Sequence, residues 1–476
     1  MAALALLLGD LFPLTEFRDW SPALIEGWVG TDAAGLLWQG FTRQIAYART
    51  LPLAYAAAAN GTCGPAPLCL NLAVSLPVAL SAGLFYLLAR RLGAHAFLAG
   101  IGVVFWLLSA PVAQALTWQA TILDRMALLF ILASILVYLR FTATPLGKTQ
   151  LVMCNLAVGA LTAAALMSKE VAFPLPAILL LFGLAETGHR AARLRRLSAL
   201  GLPLAYGLFV AVTYLRDYMS IAPAWADHTL GGDIVANAIS FASSLVPVAD
   251  RPGKALIVGL LMLAAFGICY GWVVRGPRTT GEHSAQARAA AVLLLAGLAL
   301  AVPALRTRFA WPFYFYASHA VLTLSYVVLA SAVAKRLPGR GWEWPALAGA
   351  AMALLLMAGL FLTNGIAVYR GGLIASDNFR HALARLRALT PTGSDVVVAV
   401  LTPAAFPPHM FVDGSLRGLW RYIAPDTAAG IHSENRVSLI FGLACPDTPW
   451  RYCLRFDQMM NLTELRATPE PAGQRD

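Results

Sequence analysis

Four short segments of this 476-residue sequence set ionisable side chains beside long apolar runs, where a charge is costly to keep and so has a task by default. In TEFRDW at 15–20, Glu16 and Asp19 stand about one turn apart on a helix, and a carboxylate with restricted water access can act as general base on an incoming hydroxyl. The plainer reading is an interfacial segment anchored by Trp20, with Arg18 paired to an acid. In TWQATILDRMALLF at 117–130, Asp124 and Arg125 open an apolar run. Asp124 suits an N-terminal cap, whereas Arg125 at a helix start that already favours anions makes a phosphate site. In LMSKEVAFPLP at 166–176, Lys169 and Glu170 sit in a turn with no room for a loop, and Pro174 and Pro176 let the next helix bend. A snorkelling Lys169 is the plain reading, a fixed Lys169/Glu170 pair in a cavity the chemical one. In LRTRFAWPFYFYASH at 305–319, Arg306 and Arg308 precede Trp311, Phe313, Tyr314, Phe315 and Tyr316. That pattern is either an interfacial aromatic belt or a bidentate clamp for a phosphate.

The elements that must position these residues are membrane spans. Hydrophobic residues make up 59% of the chain and charged residues 12%, about half the share of a soluble chain. The mean hydropathy is +0.68. Apolar runs long enough to cross about 30 Å of hydrocarbon fall near 1–14, 66–89, 94–112, 125–141, 150–167, 171–186, 198–215, 254–274, 289–305, 313–334 and 345–368. The first, MAALALLLGDLFPL, has no basic n-region and no small-residue cleavage site after it, and reads as a short span. Arg90 with Arg91, Arg140 with Lys148, HRAARLRR at 189–196, Arg275 with Arg278 and Arg288, and AKRLPGR at 334–340 occupy alternate connections, which are cytoplasmic by the positive-inside rule. The other connections, at 15–65, 113–124, 168–170, 216–253 and 306–312, hold most of the acids, and all four charged segments lie on that outward side. The expected architecture is an all-α polytopic membrane domain of about eleven helices over 1–368. A small extracytoplasmic α/β domain follows over 369–476, with a helix at 377–389 and strands at 395–402 and 436–443.

Composition also excludes. The net charge of +11 reports topology, since no basic stretch is interleaved with aromatics as nucleic-acid modules require. No phosphate-cradling Gly loop, HExxH, GxSxG or dinucleotide fingerprint is present. Cys154 and Cys269 lie in apolar runs, whereas Cys63/Cys69 and Cys445/Cys453 are close pairs in outward segments, each either a disulfide or two thiols. No His lies near them to suggest zinc. The sequons at Asn60 and Asn461 read as chance and do not imply eukaryotic N-glycosylation.

The arrangement of these clusters resembles the polytopic glycosyltransferases of the GT-C superfamily, the group containing protein O-mannosyltransferases and lipid A aminoarabinose transferases. The resemblance runs from about residue 15 to 390. FRDW matches the acidic motif of the first outer loop, with Asp19 in the place of the catalytic acid, and the stretch from 48 to 93 follows it as the loop returns into a span. Trp118 through Asp124 is similar to a segment that opens a span in the O-mannosyltransferase-like branch. Ser168, Lys169 and Glu170 match an SKE before a Pro-containing span, and RFAWPFYFYAS at 308–318 resembles an Arg-aromatic-Pro segment ahead of a late span. Many relatives carry two adjacent acids where this chain has Arg18-Asp19-Trp20, so a second carboxylate is Glu16, comes from Asp124, or is absent, the last leaving a degenerate or acceptor-restricted enzyme, with a non-catalytic homologue as the alternative. The resemblance implies inverting transfer of a sugar from a polyprenyl-phosphate donor to an acceptor hydroxyl on the periplasmic face of a bacterial inner membrane. Asp19 would be the base, Arg125, Lys169, Arg306 and Arg308 would hold the donor phosphate, and Glu170 would support them. No cofactor is required, because lipid phosphate is already a good leaving group, although a divalent ion could lie between Asp19 and Asp124. The acceptor is a protein, a lipid or a polysaccharide. The rival class is a lipid or polysaccharide-precursor transporter; against it, the two halves show no self-similarity and the charges sit at one surface instead of the midplane.

Overall fold

The computed structural model describes residues 33–35, 37, 49–63, 67–109, 111–112, 115, 121–143, 147–185, 190–213, 234–245, 252–275, 281–305, 312–337 and 342–362, with strand residues 396–400, 437–441, 452–456 and 462–467. Helices are α1 (Thr50–Cys63), α2 (Pro67–Arg91), α3 (Ala96–Leu108), α4 (Ile122–Phe141), α5 (Lys148–Leu166), α6 (Leu175–Ala185) and α7 (Arg190–Ser198). They continue as α8 (Gly201–Thr213), α9 (Ile234–Leu245), α10 (Pro252–Arg275), α11 (Gly281–Leu305), α12 (Tyr316–Arg336) and α13 (Trp342–Leu362).

The chain is a multi-pass membrane protein. Among the described residues, six helices are long and apolar enough to cross a bilayer: α4, α5, α10 from Leu256, α11, α12 and α13. Ala96–Leu108, Glu170–Ala185, Gly201–Thr213 and Ile234–Leu245 are apolar but shorter. The expected span at 1–14 lies outside the described residues. α9 was not anticipated; it falls in a stretch read as connection, its apolar face being too short to register as a span.

Local chemistry sets the helix limits. His95 Nδ1 accepts from the Phe97 amide at the start of α3, and Gln150 Oε1 accepts from the Gly147 amide at the start of α5. α2 ends in Arg90 and Arg91, and Gly93 beyond it takes φ +86°, a left-handed conformation that a side chain would resist.

Close packing of helices within the unit spanning residues 74–363 depends on small residues. Without a water-driven force between spans, association rests on backbone approach and interhelical hydrogen bonds. A Cβ on Gly102 of α3 would meet Val327 Cγ2 of α12 at 2.5 Å, and one on Gly297 of α11 would meet Leu322 of α12 at 2.6 Å. Ser318 Oγ of α12 donates to the Gly297 carbonyl at 2.6 Å and Ser325 Oγ to the Ala290 carbonyl at 2.6 Å. Gln286 Nε2 of α11 donates to the carbonyls of Gly93 and Val328. Around α12 the aromatic core runs from Phe85, stacked on Trp106 at 6.1 Å, to Tyr316 at 5.5 Å from Trp106. α4 and α12 are mostly buried, and α10 is almost wholly exposed.

The second unit holds the C-terminal part of α1, the N-terminal part of α2 and a four-stranded sheet. Cys63 and Cys69 are disulfide-bonded between the two helices, and Tyr55 Oη donates to the Ala73 carbonyl at 2.6 Å. Cys154 and Cys269 are free thiols; Cys445 lies outside the described residues. The sheet runs β2 (Val437–Phe441), β1 (Val396–Val400), β3 (Tyr452–Phe456), β4 (Leu462–Ala467). β1 pairs in parallel with both β2 (Val396 opposite Val437) and β3 (Val396 opposite Tyr452), and β4 returns antiparallel to β3. β1 and β2 match the two expected strands; β3 and β4 are too polar to have announced themselves. The expected helix at 377–389 lies outside the described residues.

Candidate functional site

The site is built on the turn between α5 and α6. After Leu166 the amides of Met167 and Ser168 donate back to the carbonyls of Ala163 and Ala165, Lys169 takes extended backbone (φ −164°, ψ 154°), and Glu170 opens the short 3-10 turn Glu170–Ala172. Neighbouring side chains on extended backbone point to opposite sides. Lys169 and Glu170 therefore do not form the pair with each other that their adjacency suggested. Each meets a partner remote in sequence.

Lys169 Nζ donates to both carboxylate oxygens of Asp124, at 2.7 Å and 2.6 Å. It also lies 4.8 Å from the centroid of the Tyr314 ring. The Lys169 and Asp124 side chains are 10% and 3% exposed, so this pair is buried, and Lys169 does not snorkel. Glu170 Oε1 accepts from Arg49 Nε at 3.1 Å and Nη2 at 2.7 Å. Arg49 is 42% exposed and Glu170 22%. An inner and an outer ion pair thus lie side by side, two cations balanced by two carboxylates.

Burial pushes the Glu170 carboxyl up, but the Arg49 guanidinium and its hydrogen bonds, helped by Lys169, hold it below the ordinary carboxylate range. Burial, reinforced by the nearby Asp124 charge, pushes the Tyr314 phenol up to about 12, so it stays protonated. An ion pair buried as deeply as Lys169–Asp124 is seldom a net gain in stability over apolar packing, because both ions forfeit hydration. Its presence points to a task.

Arg49 immediately precedes α1 and has φ 39°, the one left-handed non-glycine among the described residues. Such backbone persists where surrounding contacts over-determine it, and the two bonds to Glu170 supply that contact. Next to it Thr50 is buried, and its Oγ1 has no hydrogen-bond partner among the described residues. A helix start with a guanidinium, a hydroxyl and the first-turn amides of Thr50 and Leu51, Pro52 having none, is suited to an oxyanion.

α4 begins at Ile122 with Thr121 in the capping position. Asp124 is not the cap: both its oxygens are turned to Lys169. Thr121 Oγ1 donates to the Ala115 carbonyl at 2.5 Å, and Arg125 Nη2 donates to the same carbonyl. Arg125 is fully buried and ties the start of α4 to the chain before it. Of the sequence candidates, the structure brings Asp124, Lys169 and Glu170 together, with Arg125 one residue beyond Asp124. Glu16, Asp19, Arg306 and Arg308 lie outside the described residues. Among the described residues no three His, Cys, Asp or Glu side chains are grouped to hold a metal ion. Sequence reasoning missed Arg49; its signal is a cation directly before an apolar run on the side otherwise given to acids.

The chain is similar to two kinds of solved structure. One is ArnT from Cupriavidus metallidurans bound to undecaprenyl phosphate, at 15% identity and a TM-score of 0.44, covering 90% of this chain and 89% of that one. The other is the oligosaccharyltransferase AglB from Archaeoglobus fulgidus in complex with an inhibitory peptide and a dolichol-phosphate, at 10% identity and a TM-score of 0.41, covering 82% of this chain. A second Archaeoglobus fulgidus structure, with zinc and sulfate, gives 11% identity and a TM-score of 0.42 over 83% of this chain. The chain spans little more than half the length of the archaeal enzymes, 56% and 54%. No family model and no curated protein matches the sequence. At such identities and scores these likenesses carry no argument about the site, and the functional reading rests on the charge cluster.

Proposed function

We propose that this chain is a membrane glycosyltransferase that moves a sugar from a polyprenyl-phosphate donor to an acceptor hydroxyl on the non-cytoplasmic face, inverting the anomeric carbon. The observation that carries the reading is the double ion pair Arg49–Glu170 and Lys169–Asp124 at one end of the helix bundle. Paired cations near a membrane surface suit a lipid phosphate, whose oxygens can take over hydrogen bonds that the carboxylates hold. In this reading Arg49, with the half-open face it keeps, the Thr50 hydroxyl and the first amides of α1 receive the donor phosphate, and Lys169 supplies a second positive charge beneath it. Glu170 and Asp124 hold the two cations in place while no donor is bound. Arg125 supports the start of α4, and Arg306 and Arg308 complete the phosphate clamp.

Asp19, with Glu16 as its neighbour, would take the proton of the acceptor hydroxyl as the oxygen attacks the anomeric carbon. The bond from that carbon to the phosphate oxygen breaks, and its electron pair leaves on the phosphate. The electrostatic task is to stabilise that departing anion, which fixed cations perform without reorganising. No general acid, cofactor or nucleic acid enters this scheme. The frame we propose for it has eleven spans in a bacterial inner membrane, with residues 369–476 forming an α/β domain outside the cytoplasm that contacts the acceptor.

The test is release of sugar from a polyprenyl-phosphate donor by purified protein. Asp19→Asn should lower kcat by about 10²–10⁴, and Arg49→Gln should chiefly raise KM for the donor. Wild-type activity in Asp19→Asn removes Asp19 from the base role. Unchanged donor KM in Arg49→Gln removes the outer pair from the phosphate site.

A further inference from the structure

At the other end of the bundle the cations divide by what they do. Arg90 donates to the Ala94 carbonyl, Arg91 to the Leu139 carbonyl at 3.0 Å and Lys335 to the Gly93 carbonyl at 2.9 Å. Arg336 lies over the Trp272 ring at 4.5 Å. These side chains close helix ends and hold α2, α4, α10 and α12 in register, so the protein itself uses them.

A second set does none of this. Arg140 at the end of α4, Lys148 at the start of α5, and Arg193 and Arg195 on α7 are all exposed, and none of their side chains makes a hydrogen bond or ion pair among the described residues. They share one corner. Leu197 of α7 and Tyr138 of α4 both close on Gly183 of α6, at 3.0 Å and 2.7 Å from where its Cβ would stand. Asn155 of α5 receives the Leu202 amide at 2.8 Å and donates to the Ser198 carbonyl at 3.2 Å. Helix α7 is therefore pinned by Leu197 and its C-terminal carbonyl against α4, α5 and α6. Arg193, Leu194 and Arg195 nevertheless stay exposed along α7, the two arginines flanking Leu194 at about 100° to either side, and Leu194 is 58% exposed.

We propose that this corner binds the headgroup of an acidic phospholipid from the leaflet it faces, with Leu194 entering the acyl boundary between the two arginines. Charge complementarity decides the occupant. Four cations with no acid beside them among the described residues repel one another, and a phosphodiester relieves this. An exposed leucine between arginines belongs at a lipid surface, since a soluble polyanion offers it nothing. The positive-inside rule makes that leaflet the cytoplasmic one. The site is separate from the Arg49–Lys169 cluster and independent of the reaction proposed for it.

The test is native mass spectrometry of the full chain in neutral detergent with equimolar phosphatidylglycerol and phosphatidylcholine. The wild type should retain phosphatidylglycerol preferentially, and Arg193→Gln/Arg195→Gln should weaken that retention by about thirtyfold, at roughly 1 kcal/mol per cation near the surface. Arg140→Gln/Lys148→Gln should give a comparable loss, and Arg275→Gln, an exposed cation on α10, should give none. Equal retention of the two lipids by the wild type overturns the proposal. So does a preference that survives both double variants, which would place the bound lipid at the ion-pair cluster instead. Displacement of the lipid by the same concentration of inorganic phosphate would mark the corner as a general anion site and also overturn it.

Discussion

The buried pair Lys169–Asp124 makes the sharpest residue-scale claim, because removing one partner strands the other. Asp124→Leu should cost about 3–5 kcal/mol by leaving an ammonium uncompensated in the bundle, while Asp124→Leu/Lys169→Met together should cost much less than the sum of the two single changes. Unfolding of the detergent-solubilised variants measures both, and additive losses would mean the pair is not coupled. The outer pair makes a pH prediction. Glu170 is held below its unfolded value, so its stabilisation is complete above about pH 4.3 and disappears as pH falls through the folded-state value. Glu170→Gln should therefore flatten the acid limb of the stability profile and leave the neutral region lower but level. At this scale the residue types were legible in sequence, since a charge bordering an apolar run is costly to keep. Their pairing was not. Lys169 meets Asp124 across 45 positions and Glu170 meets Arg49 across 121, and a separation of that size leaves no local pattern to read.

Helices α11 and α12 meet through small residues. Their contact depends on Gly297 and on serine hydroxyls that lend themselves to the facing backbone, and the α3–α12 contact depends on Gly102. Gly297→Val would drive its side chain into Leu322 and should cost about 1–3 kcal/mol, with Gly102→Val costing a similar amount against Val327. Gly83, whose Cβ would meet nothing within 4 Å, is the matched control and should tolerate alanine. Thermal unfolding separates the three, and equal losses would contradict the packing described here. Apolar runs exposed these helices in the sequence because hydrocarbon demands length. The short ones, α1, α7 and α9, escaped because length was the signal used: α1 and α9 are apolar but brief, and α7 is an amphipathic arginine helix that reads as a basic connection.

For the whole molecule, one helix ties the topology together. α2 carries Cys69 in its first turn and Arg90 with Arg91 in its last, about 30 Å apart at 1.5 Å per residue. A disulfide belongs to an oxidising compartment and an arginine pair to the cytoplasmic side, and the orientation proposed above puts Cys69 outside and Arg90 with Arg91 inside. Single cysteines at exposed positions of an otherwise cysteine-free chain should report this: Thr62→Cys labelled by an impermeant thiol reagent only from outside, and Thr149→Cys only after the membrane is opened. The reverse pattern would invert the proposed face. The proposed direction rests on the sorting of basic residues, whereas the six described helices of full span length, the four shorter apolar ones and the mixed sheet depend on how the chain closes on itself.

The Cys63–Cys69 bridge also keeps a record of biosynthesis. The two sulfurs can join only after both have been delivered to the oxidising side and the chain between them has turned back on itself. In the proposed orientation each molecule would thus be chemically stamped once α2 has inserted the right way round. A chain that inserted backwards would keep both thiols, and alkylation under non-reducing conditions would add two tags to it and none to its correctly inserted neighbours at these positions. Counting tagged against untagged molecules would give the fidelity of insertion directly, before any activity is assayed.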